Sequence, residues 1–119
     1  MSVKHADEVA TQPVQAGTGT VRQVLIGPEE GPNFALRRFI MEPGGGMPAH
    51  TNTVEHEQYV LRGQATIGIG NETIEVRPGH VVFIPAGTPH WYQAHGDEPF
   101  EFLCVVPNRE DRIELVKGC

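Results

Sequence analysis

The chain has 119 residues, 39% of them hydrophobic and 20% charged, with a formal net charge of -6, which supports one domain and no more. It has no basic run to neutralise phosphates and no apolar stretch near the ~20 residues of a membrane span, so neither a nucleic acid nor a membrane is expected as a partner. The 14 Gly and 10 Pro, about a fifth of the chain, are too many helix breakers for a bundle and favour short strands joined by turns.

Residues 1–20 mix polar residues, Gly and Thr without a period and are expected to form an N-terminal arm, loose or docked on something else. The start, Met1-Ser2-Val3-Lys4-His5-Ala6-Asp7-Glu8, lacks the apolar centre of a signal peptide. Strands are then predicted at Val21–Ile26, Phe34–Met41, Glu57–Arg62, Gln64–Ile69, Glu72–Val76, Val81–Ile84, His90–Gln93 and Phe100–Val106. Gly27-Pro28 ends the first, and Pro43 with Gly44-Gly45-Gly46 ends the second. Gly70-Asn71 reads as a two-residue hairpin turn, since both residues tolerate positive φ. The tail from Arg109 is expected to form at most a helical turn or two. Residues 21–108 thus read as an all-β, antiparallel sandwich or barrel, and 109–119 as a C-terminal tail.

Several of these strands are apolar on both faces. Tyr59 and Leu61 oppose Val60, and Leu103 and Val105 oppose Phe102 and Cys104. One small barrel covers one of those faces, so a second subunit, giving a homodimer, is expected to cover the other. Cys104 and Cys119 allow one disulfide at most, and a reducing cytoplasm is the expected setting.

Six histidines are the compositional oddity. His50 follows the Gly-rich stretch, His56 opens a strand, and His90 follows Pro85-Ala86-Gly87-Thr88-Pro89. Neutral imidazole is the commonest metal ligand, and residues two apart on a strand share a face, so such histidines can converge inside a barrel. His5, His80 and His95 lie in polar arm, turn and loop segments and carry no assigned role. Glu55 and Glu57 alternate away from His56, and Trp91 alternates away from His90. No paired glycosidase carboxylates and no Ser/His/Asp set stand in this region.

The spacing around these histidines resembles the two motifs of the cupin superfamily. Gly44, five residues, His50-Thr51-Asn52, then His56 at the usual Glu position, six residues and Gly63 follow the first motif. Gly79, Pro85, Gly87 and His90 follow the second, with Ala94 in place of its Asn, and 15 residues separate Gly63 from Gly79. The stretches Glu55–Leu61, Phe100–Cys104 and Pro32-Asn33-Phe34 resemble a subgroup of small cupins with four-histidine metal sites.

The resemblance implies a double-stranded β-helix, the cupin jelly roll, with one divalent metal ion per subunit (Mn, Fe, Ni, Cu or Zn) held by His50, His56 and His90. Asn52 stands where the subgroup has its second histidine, and either completes the shell through its amide oxygen or faces away. Phe39, Gln58, Tyr92, Phe102 and Cys104 are expected to line a pocket for a small, largely apolar ligand or substrate. The activity implied is dioxygenase-type oxidation. The alternatives are a non-catalytic binding or sensing cupin, and a metal-dependent isomerase, lyase or decarboxylase.

Overall fold

The structure is a computed structural model, and residues 1–116 are described. After a single 3-10 turn at Ala6–Glu8 come ten strands: β1 (Gln12–Pro13), β2 (Thr18–Ile26), β3 (Phe34–Asn52), β4 (His56–Arg62), β5 (Gln64–Ile69), β6 (Glu72–Val76), β7 (Val81–Ile84), β8 (His90–His95), β9 (Phe100–Pro107) and β10 (Ile113–Leu115). All pair antiparallel in one curled sheet of order β6-β5-β8-β3-β9-β4-β7, with β2 and β10 also on β3 and β1 on β2. This is the all-β jelly-roll barrel expected from the sequence. Among the described residues no helix is long and apolar enough to cross a membrane.

The inside of the barrel is made by strand alternation. Along β4, His56, Gln58 and Val60 are buried while Glu57, Tyr59 and Leu61 are exposed. Opposite them on β9, Phe102 and Cys104 are buried and Leu103 and Val105 face outward. The Phe102 ring stacks on Phe39 at 5.1 Å and on Tyr92 at 5.3 Å between centroids, joining β3, β8 and β9 through one aromatic wall.

Two expectations are corrected. The second predicted strand was to end at Met41, yet β3 runs on through Pro43 and the three glycines to Asn52. The glycines are what let it pass between neighbours: a Cβ on Gly46 would lie 2.1 Å from the Tyr92 carbonyl oxygen on β8, and one on Gly45 would lie 2.5 Å from the Thr18 carbonyl oxygen on β2. Breaker residues here mark close packing rather than a chain reversal.

The tail is the second correction. Instead of a helical turn, β10 adds to the edge of β3, pairing Ile113 with Asn52 and Leu115 with His50. Asp111 anchors it by accepting from the Thr53 amide at 3.0 Å, and Arg112 N donates to Thr53 Oγ1 at 2.9 Å. An open strand edge gains more from a partner than a short isolated helix gains from its own hydrogen bonds. Residues 117–119, with Cys119, lie outside the described residues.

The predicted hairpin at Gly70-Asn71 forms between β5 and β6. Gly70 takes φ +59 and, among the described residues, none other than glycine has positive φ, the Gly-first pattern of a II′ turn. The N-terminal arm docks on its own chain. β1 lies on β2, and the buried Gln23 amide donates to the carbonyls of Ala6 and Val9, both at 2.9 Å.

Candidate metal centre

β3, β4 and β8 each deliver one histidine to the same end of the barrel. His50 and His90 are register partners, with ring centroids 4.2 Å apart, and the His56 centroid is 5.8 Å from that of His90. All three rings are buried, at 1–6% exposure.

Their hydrogen bonds leave one nitrogen of each pair of interest free. His50 Nδ1 lies 2.8 Å from the Pro48 carbonyl oxygen and His90 Nδ1 lies 2.9 Å from that of Thr88. A carbonyl only accepts, so both rings carry their proton on Nδ1 and present a lone pair at Nε2. The Nε2 atoms of His56 and His90 are buried without a partner. Burial drives the His56 pKa down to about 3, with help from the charges of Arg37, His90 and His50, and burial drives that of His90 down to about 4. Both imidazoles are therefore neutral at pH 7, the state that binds metal.

Asn52 lies on the same cavity, with its Nδ2 donating to Asp111 at 3.1 Å and its Oδ1 buried without a partner. The donor set of three imidazoles and an amide oxygen fits a divalent cation in chemistry. Among the described residues, however, no three His, Cys, Asp or Glu side chains already stand in the geometry of a metal shell.

The cavity, of about 50 Å³, is lined by His50, Asn52, His56 and His90 together with Phe39, Gln58, Tyr92 and Phe102. Gln58 Nε2 donates to the Tyr92 hydroxyl at 2.7 Å, and burial pushes the Tyr92 phenol pKa up, so the phenol keeps its proton. Cys104 stands behind this wall, with Sγ 3.4 Å from His56 Nδ1 and 3.6 Å from an Arg37 terminal nitrogen. Burial raises its thiol pKa and holds it as a neutral neighbour to His56. His5, His80 and His95 lie elsewhere. His5 caps the 3-10 turn, His80 Nδ1 accepts from the Arg77 amide, and His95 pairs with Glu75.

Three contributors escaped the sequence reading. Arg22 and Arg37 also line the cavity, adding two guanidinium groups to the polar side chains of Gln58 and Tyr92. Arg37 shares the inward parity of Phe39 and Met41, a signal that alternation already carried. Asp111 carried no such signal, because it reaches Asn52 only through the folded tail.

The profile of the Cupin domain family matches residues 37–106. The chain is 32% identical over 94 residues to 1-methylthio-D-xylulose 5-phosphate methylsulfurylase of Rhodospirillum rubrum, matching 79% of this chain and about three fifths (60%) of that longer protein. In structure it is similar to the polyketide cyclase RemF of Streptomyces resistomycificus, with TM-score 0.91 and 31% identity, covering 100% of this chain and 87% of that one. A cupin-2 domain from Rhodospirillum rubrum superposes with TM-score 0.85 and 26% identity over 98% of this chain and 81% of that one. The matched span runs from the inward face of β3 to the end of the barrel and contains every histidine of the cavity; the chain belongs to the cupin family.

Proposed function

We propose that this chain is a metal-dependent enzyme, in which His50, His56 and His90, with the amide oxygen of Asn52, hold one divalent cation beside a small unsaturated substrate. The observation that carries this reading is the pair of buried Nε2 atoms on His56 and His90, which have no partner. Leaving a buried acceptor unpaired costs on the order of 1–3 kcal/mol, a cost that a bound cation removes. The carbonyls of Pro48 and Thr88 orient two of the rings, as outer partners do for ligating histidines.

A bound cation would polarise a substrate oxygen and stabilise negative charge developing there. All four proposed donors are neutral, so none offsets the cation's charge, which favours this Lewis-acid role. The likeness to a polyketide cyclase over the whole chain supports the same reading. Dioxygen-dependent oxidation, the activity implied by the sequence resemblance, is the competing chemistry. The protein's own part is to bind and orient. Phe39, Phe102 and Tyr92 offer a stacked apolar wall to a planar group. Tyr92 accepts from Gln58 and keeps its own hydroxyl hydrogen for a substrate oxygen.

Elemental analysis of protein expressed without added metal, with His50→Ala, His56→Ala and His90→Ala beside it, tests the site. The expected result is near-stoichiometric metal in the parent and strong loss in each variant; full occupancy in all three variants overturns the assignment. Turnover of small aromatic polyketides and diketones without dioxygen consumption supports the Lewis-acid reading, and stoichiometric consumption overturns it in favour of oxidation.

We also propose a homodimer in a reducing, cytoplasmic setting. Tyr59, Val81 and Phe83 are 48%, 75% and 56% exposed on one outer face beside Leu103 and Val105. A second copy covering that face supplies the burial a single barrel leaves undone.

A further inference from the structure

We infer that Arg22 and Arg37 form a clamp for an oxyanion, a carboxylate or a phosphate, carried by the molecule that enters the histidine cavity. The inference deepens the enzyme reading and rests on it for regarding that molecule as a substrate.

The two arginines arrive by register. On the β2–β3 ladder Arg22 pairs with Phe39 and Val24 pairs with Arg37, so Arg22 and Arg37 are diagonal neighbours on one face. That face is the inner one, and both side chains line the cavity with His56, Gln58 and Tyr92. Arg37 lies over the Phe39 ring at 5.1 Å, which directs its planar fork along the aromatic wall.

Neither guanidinium meets a carboxylate among the described residues, and Nε of each is buried without a hydrogen-bond partner. The only side-chain contact of Arg37 among its hydrogen bonds is the Cys104 sulfur. Two arginines of the outer face, Arg38 and Arg62, are paired with carboxylates instead. Arg38 is bonded to the buried carboxylate of Glu101, and Arg62 reaches both Glu98 and Glu101. In a chain with 15 acidic residues against 9 Lys and Arg, acids are not scarce. Among the described residues none of them pairs with Arg22 or Arg37.

That arrangement is unfavourable when empty. Burial, and then the charge of Arg37, hold the Arg22 pKa below its ordinary value. An oxyanion between the forks satisfies the buried Nε donors and cancels the repulsion together. Carboxylate and phosphate are the groups whose paired oxygens match that fork. The cavity volume of about 50 Å³ sets the scale of the group that first enters to that of a few water molecules.

The test uses the full chain after chelation, so that no cation competes for the anion, with 15N-detected arginine Nε–H signals as readout. Propionate represents the carboxylate, inorganic phosphate the phosphate, and propionamide is the neutral analogue. The expected result is that one or both anions shift the Arg22 and Arg37 signals together, whereas propionamide moves neither. The tighter anion identifies the group. Arg22→Gln and Arg37→Gln should each weaken binding at least tenfold, with part recovered in Arg22→Lys and Arg37→Lys. The proposal is overturned if neither anion shifts those signals in the unsubstituted chain, which requires no variant to fold. Unchanged affinity in a folded Arg22→Gln/Arg37→Gln chain overturns it as well. Arginine-dependent anion binding in a chain that retains no metal when expressed would sink the metal reading and leave the clamp standing.

Discussion

Asn52 donates through Nδ2 to the Asp111 carboxylate at 3.1 Å, which settles the orientation of its amide and leaves Oδ1 buried in the histidine cavity without a partner. The tail thereby acts on the centre through the Asn52 amide as well as through the backbone pairing of Leu115 with His50. Asp111 belongs to the loop before β10, and β10 is held on β3 beside His50 and Asn52.

If Asn52 is a ligand, Asp111→Ala should lower metal affinity about 10-fold, the low end for loss of an outer orienting partner. Asn52→His should raise it by about 1–3 kcal/mol, because imidazole is the stronger donor. The same change fills a position that catalytic sites keep open, so turnover should fall as affinity rises. Competitive chelator titration of the three proteins checks this. Affinity unchanged in both variants would mean that Asn52 takes no part in the shell.

The metal-free chain should lose stability as pH falls from about 6.5. His56 and His90 resist protonation in the folded state down to about 3 and about 4, whereas the unfolded chain protonates them near 6.5. In that window the unfolded state binds more protons, so the stabilisation is complete above pH 6.5 and erodes below it. The slope is at most about 1.4 kcal/mol per pH unit for each ring. Thermal unfolding of chelated protein between pH 7 and 4.5 measures it, with His56→Gln/His90→Gln as reference. Equal slopes in the two would show that other groups cause the acid loss.

The barrel and its histidines were legible because they rest on local pattern. Alternation along Glu55–Leu61 shows which side chains face inward, and the motif spacing picks out His56 and His90 at the starts of β4 and β8 and His50 near the end of β3. What escaped depends on pairings distant in sequence. Pro43 and Gly44–Gly46 look like a break until β2 and β8 are seen to press against them. Ile113–Leu115 has no partner until the β3 edge is exposed to it. Arg22 and Arg37 face each other only through the β2–β3 register, and nothing local marks either as lacking a carboxylate.

Gly46→Ala should be more damaging than its size suggests. Its Cβ would sit 2.1 Å from the Tyr92 carbonyl oxygen, a backbone atom that cannot swing aside. Relief requires β3 to part from β8, the pairing that brings His50 against His90. Forcing an extra methyl into such a contact costs about 1–3 kcal/mol or more. A fall in Tm with loss of bound metal is expected from differential scanning fluorimetry and elemental analysis. Wild-type stability would mean that β3 and β8 separate freely.

The outer face supplies the last prediction. Val81 and Phe83 on β7 point away from the barrel, and Tyr59 and Leu103 lie beside them on β4 and β9, whose own inward residues are already buried. A charge at the centre of this surface should cost the monomer little, because Phe83 is 56% exposed and contributes little to the barrel core. It should cost an interface far more, since a carboxylate there loses its water on association. Glu57, already on this face beside Glu55, has its pKa raised to about 7 by a hydrogen bond shared with that neighbour. Phe83→Asp would therefore add negative charge to a surface that already carries some. Sedimentation should show a dimer of about twice 13.0 kDa for the parent chain and a monomer for Phe83→Asp, with histidine-bound metal retained in both. A parent chain that sediments as a monomer at micromolar concentration removes the second copy from this face, and Phe83→Asp that remains dimeric moves the interface elsewhere.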